Sequence, residues 1–169
     1  AGAGWMGSLH AAAADAVPGL AIAKVASRRP ERAEALARRC DAEAVGYASV
    51  ADGVDGVIVS SPPAQHVEHA LTAVAAGAGV LVEKPLCTTL VDADALVAAA
   101  DTGATIAYAE NLLHAPALRV ALEHRQQLGP LQALEVRALQ PRPTWGDFLT
   151  LDWGGGVLFD LGAHPLAVA

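Results

Sequence analysis

Apolar residues recur along this chain with two periods, and the alternation between them predicts the fold class. Met6 to about Ala16 reads as a helix with Met6, Leu9 and Ala13 on one side, ended by Val17-Pro18-Gly19. Leu20 to Ala26 reads as a short buried strand. Ser27-Arg28-Arg29-Pro30 then turns the chain into a helix from Glu31 to Cys40, with Ala33, Leu36, Ala37 and Cys40 at helical spacing. A weak strand at Ala44 to Val45 and a turn near Ser49 to Ala51 lead to Gly56-Val57-Ile58-Val59-Ser60, an unbroken apolar run that suits a central parallel strand.

Ser61-Pro62-Pro63 stops that run. Gln65 to Ala76 is predicted as a helix with Val67, Leu71 and Val74 inward, and Val80-Leu81-Val82 as a strand that ends on Glu83-Lys84-Pro85. A helix from Thr89 to Ala100, with Leu90, Ala93 and Val97 on one stripe, precedes a strand from Thr105 to Ala109. Strands alternating with helices imply a doubly wound parallel sheet covered on both faces. Such sheets bind ligands beyond their strand C-termini.

After Glu110 the pattern changes to a helix around Pro116 to Gln127, a Gly129-Pro130 turn, a strand-like stretch from Leu131 to Leu139 and a loop from Pro141 to Trp153. Two domains are therefore expected, residues 1–110 and the opening of a second at residues 111–169. No strand precedes the first glycines and no Met opens the chain, so the expectation is a piece cut after its first strand and within its second domain.

Composition narrows the partners. A formal charge of −7 and no dense Lys/Arg stripe argue against a nucleic-acid surface, which needs positive charge to displace counterions. The apolar stretch from Leu71 to Val82 is broken by Gly77 and Gly79 and is shorter than the ~18–20 residues that span a bilayer, so no membrane span is expected. Cys40 and Cys87 match no zinc spacing and read as reduced thiols of a cytoplasmic protein. His10, His66, His69, His114 and His124 form no metal-ligand set and read as structural or exposed.

Candidate chemistry begins at Gly2-Ala3-Gly4-Trp5-Met6-Gly7, a glycine spacing that suits a dinucleotide pyrophosphate. Gly2 would allow the bend, Gly4 would let the backbone approach phosphates, and Gly7 would bring the following helix close to the sheet. About twenty residues on, where a carboxylate would hold the adenosine ribose, stands Ser27, followed by Arg28, whose guanidinium can bond a 2′-phosphate. NADP is therefore favoured over NAD. Lys84 would project from a strand end into the ligand crevice and stabilise developing negative charge on a substrate oxygen. Asp160 and His164 are four apart, so a helix across them would pair a carboxylate with an imidazole general base; Pro165 complicates that helix.

Three signatures occur in one order: the glycine turn at residues 2–7, Glu83-Lys84-Pro85-Leu86, and the run Gly154-Gly155-Gly156-Val157-Leu158-Phe159-Asp160-Leu161-Gly162-Ala163-His164. Together they resemble the Gfo/Idh/MocA oxidoreductases, and the likeness extends through Ser61-Pro62-Pro63-Ala64-Gln65-His66. The resemblance implies a Rossmann domain followed by an α+β domain with an open, mainly antiparallel sheet that commonly forms a dimer interface, hence a homo-oligomer. It implies that Gly2, Gly4, Trp5, Met6, Gly7, Ser27 and Arg28 meet the dinucleotide, together with Ser60, Pro62, His66, Glu83 and Lys84. Lys84 would contact substrate and nicotinamide, His164 would act as general base and Asp160 would assist it, with hydride passing to or from a sugar, cyclitol or polyol carbon. Ala167 departs from the pattern, standing where many relatives carry an acidic residue. Two other functions fit the same turn: a non-catalytic dinucleotide-binding sensor, and a lyase or glycosidase that uses NAD transiently.

Overall fold

The computed structural model describes residues 1–141 and 156–169 and divides into two compact units, Ala1–Tyr108 and Ala109–Ala169. In the first unit the elements are α1 (Trp5–Asp15), β1 (Lys24–Ala26), α2 (Pro30–Cys40), β2 (Glu43–Val45), β3 (Gly56–Val59), α3 (His66–Ala75), β4 (Gly79–Glu83), α4 (Leu90–Asp101) and β5, which begins at Ile106. Strand β1 pairs with β2 in parallel, with Val25 opposite Ala44. Strand β3 pairs with β4 in parallel, with Ile58 opposite Leu81, and β5 lies on the far side of β4. Parallel pairing requires a crossover between strands, and α2 and α3 supply it. Val59, Val82 and Ala26 are fully buried, as strands covered on both faces must be.

The two sheets meet at the chain start. The Ala1 nitrogen donates to Ile58 O at 2.6 Å, Ser60 N–H donates to Ala1 O at 2.7 Å, and Gly2 N–H donates to Ala26 O at 2.8 Å. Ala1 and Gly2 thus bridge β1 and β3 in the manner of a strand end. Beneath them a groove of about 600 Å³ runs between β1 and β3, lined by residues that include Ile22, Val25, Val57 and Ile58. Leu20 to Ala23 border this groove outside the β1 ladder, so the strand expected from Leu20 begins only at Lys24.

Two of the helices, α1 and α4, bury different stripes from those expected. In α1 the buried residues are Gly7, Ala11 and Ala14, while Leu9 is exposed. Small residues let this helix approach the sheet backbone, which a Leu stripe would hold off. In α4 only Leu96 is buried, and Leu90 and Val97 face out. In α3 the fully buried positions are His66, Ala70 and Ala73, with Val67, Leu71 and Val74 packed partly against the same core. Helix α2 follows its expected stripe of Ala33, Leu36 and Ala37.

In the second unit, which takes in Ala109 at the end of β5, a 3₁₀ turn at Asn111–His114 leads into α5 (Pro116–His124). The strand-like stretch from Leu131 to Leu139 forms no strand: no described residue offers it a ladder partner, and Leu131, Leu134 and Leu139 are exposed. No strand follows Ala109 among the described residues, so the expected antiparallel sheet is not represented in them. The loop expected at Pro141 to Trp153 lies, beyond Pro141, outside the described residues, as do Gly154 and Gly155. Asp160 and His164 fall on separate short helices, α6 (Val157–Leu161) and α7 (Ala163–Val168), with Gly162 between them. Pro165 is accommodated because it lies in the first turn of α7, where a helix needs no N–H donor.

Candidate dinucleotide and proton-transfer sites

The glycine turn fits a dinucleotide on the evidence of its own backbone. Gly2 has φ +110°, and a Cβ there would lie 2.5 Å from the Ser60 carbonyl. A Cβ on Gly7 would collide with Gly2 O. Gly4, the N-cap of α1, has nothing within 4 Å of the same added atom. The outer glycines are therefore set by packing, and the middle one leaves an open approach to the first-turn N–H groups of α1, carried by Trp5, Met6 and Gly7. That is the arrangement a pyrophosphate requires. The Ser60 hydroxyl secures the turn, lying 3.3 Å from both Ala1 O and Gly2 O.

At the end of β1, Ser27 and Arg28 are followed by a rim that sequence spacing did not mark. Arg28 N–H donates to the Tyr47 hydroxyl at 3.2 Å, Tyr47 stacks on His69 with ring centroids 4.1 Å apart, and His69 Nδ1 is 2.8 Å from Ser61 Oγ. Burial pushes the Tyr47 phenol up, opposed by Arg28, and pushes the His69 imidazole down. Arg28 itself is exposed, with its guanidinium available to a phosphate.

Lys84 follows β4, and its backbone is held from both sides. Glu83 is buried; its Oε2 accepts Lys84 N–H at 2.9 Å and its Oε1 is 2.8 Å from His10 Nε2. On the other side of the lysine, across a cis Lys84–Pro85 bond, Pro85 O is 2.8 Å from His66 Nδ1. His66 is 1 % exposed, and its Nε2 is 2.8 Å from Ser61 O. Burial lowers the His66 pKa, and the backbone of Pro85, Ser61 and Leu86 and the Glu83 carboxylate, which favour its cation, do not offset that. His66 thus joins the end of β3 to the lysine turn. Pro62 begins the intervening segment, in which Gln65 Oε1 is a buried acceptor without a hydrogen-bond partner among the described residues.

In the second unit His164 Nδ1 lies 2.7 and 2.9 Å from the two carboxylate oxygens of Glu110, which is fully buried. Glu110 Oε1 also accepts Leu112 N–H at 3.0 Å. A carboxylate that takes the Nδ1 proton leaves the lone pair on Nε2, where a general base needs it. The resemblance implied Asp160 as the residue assisting His164. Asp160 accepts Gln140 Nε2 at 3.1 Å, and His164 Nδ1 is bonded to the carboxylate of Glu110, 54 residues earlier in the chain. No spacing rule could find that pair, because Glu110 and His164 are brought together by the docking of α7 beside the 3₁₀ turn. Among the described residues no group of three or more His, Cys, Asp and Glu could hold a metal ion, and no helix is long and apolar enough to cross a membrane.

Residues 1–110 match the model of an oxidoreductase family with an NAD-binding Rossmann fold, GFO_IDH_MocA. A dTDP-3,4-didehydro-2,6-dideoxy-alpha-D-glucose 3-reductase from Actinomadura kijaniata is 33% identical over 93% of this chain and 49% of its own length. The crystal structure of GenD2 from gentamicin A biosynthesis, in complex with NAD, superposes with TM-score 0.85 at 33% identity, over 99% of this chain and 50% of the other. KijD10, a 3-ketoreductase from Actinomadura kijaniata in complex with NADP and TDP-benzene, does so with TM-score 0.77 at 31% identity, over 92% and 50%. The chain spans about half the length of the relatives it matches.

Proposed function

The chain belongs to the Gfo/Idh/MocA oxidoreductase family, with an NAD-binding Rossmann fold, and from that premise we propose that the whole protein is an NAD(P)-dependent oxidoreductase of sugars, cyclitols or related polyols. The observation that carries this reading is the bond between His164 Nδ1 and the buried Glu110 carboxylate. Fixing an imidazole tautomer with a buried carboxylate serves proton transfer, which nucleotide binding alone does not require. Relatives that reduce a keto group on a sugar ring make a nucleotide-linked or free keto-hexose the first substrate to try.

In this proposal the nicotinamide supplies or accepts hydride when bound. Gly2, Gly4 and Gly7, with the first turn of α1 from Trp5 and Met6, receive the pyrophosphate. Ser27 and Arg28 receive the adenosine end and favour NADP, since no carboxylate stands there to repel a 2′-phosphate. Ser60, Pro62 and His66 shape the crevice floor between the glycine turn and the lysine turn. The Lys84 ammonium stabilises negative charge on the substrate oxygen, which is worth most where water is excluded. His164 takes the hydroxyl proton at Nε2 during oxidation and returns it during reduction, while Glu110 keeps the ring in the required tautomer. Asp160, two residues before Gly162 at the α6–α7 break, assists at the same end of the second unit. Cytoplasmic location and homo-oligomerisation of the full-length protein belong to the same proposal. Steady-state assay of that protein with NADPH against keto-sugars, free sugars and cyclitols tests it; absence of turnover on every class would overturn it.

A further inference from the structure

Glu83 ends β4 with both carboxylate oxygens already engaged, one by the ring of His10 and one by the backbone N–H of Lys84. His10 lies on α1, six residues and roughly 9 Å of helix beyond Gly4. A buried carboxylate without partners is costly, so this one has to be satisfied by the groups that reach it. It is satisfied by one group from the helix that opens on the glycine turn and one from the backbone of the lysine.

We infer that His10 and Glu83 are positioning residues that tie α1 to the backbone of Lys84 and so fix where its ammonium points. Glu83 then acts through Lys84, where the family resemblance had it contact the cofactor. The inference rests on the reading of Lys84 as the residue that meets the substrate oxygen. Replacing the imidazole by an apolar side chain leaves Glu83 Oε1 bare; the carboxylate turns toward water and releases the Lys84 N–H. His66 still holds Pro85, so the lysine turn loses the Glu83 support and keeps its fold.

The test uses the full-length protein and two readouts, hydrogen exchange at the Lys84 amide and a double-mutant cycle between positions 10 and 84. His10→Leu is expected to speed exchange at the Lys84 amide by roughly tenfold or more and to lower kcat by about the same factor, with NADPH affinity within ~3-fold of wild type. In a Lys84→Ala background the same change should leave kcat unaltered, because the residue it acts through is gone. His10→Gln, which can still donate to Glu83, should restore both readouts. If His10→Leu does not fold, His10→Asn, too short to reach Glu83, carries the same expectations. Unchanged Lys84 exchange, or an equal kcat loss in both backgrounds, would overturn the inference. Absence of hydride transfer in the wild type would instead overturn the enzyme reading, and the exchange measurement alone would then decide the role of His10.

Discussion

His164 and Glu110 form a histidine–carboxylate pair, 2.7 Å from Nδ1 to Oε1, in which the carboxylate is fully buried and the imidazole partly exposed. The asymmetry matters chemically: the carboxylate is held away from solvent, while the ring is partly exposed. In the proposed mechanism the pair holds the base in one orientation and one tautomer.

Glu110→Gln keeps the volume and one acceptor oxygen but removes the charge that stabilises the imidazolium formed during oxidation. Turnover should fall by roughly 10- to 100-fold, less than the ~100-fold or greater loss for His164→Ala, and NADPH affinity should not change. Steady-state kinetics with a dinucleotide titration checks this. A Glu110→Gln protein with wild-type turnover would remove Glu110 from the mechanism.

Gly7 and Gly4 should respond in opposite ways. A Cβ on Gly7 meets the Gly2 carbonyl, so Gly7→Ala should cost about 1–3 kcal/mol and lower the melting temperature by several degrees. Gly4 faces open space at an ordinary φ of −85°, so Gly4→Ala should melt normally. Its methyl would stand in the path of the pyrophosphate, and NADPH binding should weaken by about tenfold or more. Thermal melts with and without dinucleotide separate the two effects.

Arg28→Ala should narrow the preference for NADPH over NADH, chiefly by weakening NADPH, since a guanidinium contributes to a 2′-phosphate and little to a ribose hydroxyl. Affinities of both dinucleotides for wild type and variant check it, and a wild type that prefers NADH would contradict the cofactor assignment.

Acid should loosen the first unit through His66. Burial lowers its folded pKa below the ordinary 6.5, so the unfolded chain binds the proton more readily. The stability His66 contributes is present above about pH 6.5 and is lost as pH falls from there through the folded pKa, and His69, also lowered, acts in the same direction. Denaturant unfolding at about pH 8 and about pH 5 should show a smaller pH dependence in His66→Gln than in wild type.

Much of this was legible in the sequence, for identifiable reasons. The βαβ alternation, the glycine turn and the strand-end placement of Lys84 are local patterns, and the structure reproduces them as α1 through β5. The burial stripes of α1 and α4 differ from the expected ones, because an alanine-rich helix can present any of several faces: α1 buries Gly7, Ala11 and Ala14, and α4 buries Leu96. His10 and Glu110 were missed for a different reason. Each matters only through a partner 73 or 54 residues away, and no periodicity carries such a pairing. Asp160, four residues from His164, is the nearer carboxylate in sequence, and the two fall on separate short helices with Gly162 between them.

The central claim is tested most directly by following label from NADPH deuterated at nicotinamide C4 into a keto-sugar product of the full-length protein. Deuterium on the reduced ring carbon, at a rate that falls by ~100-fold or more in His164→Ala, is the predicted result. Product free of deuterium with no net change in cofactor, or equal rates in the two proteins, would contradict it.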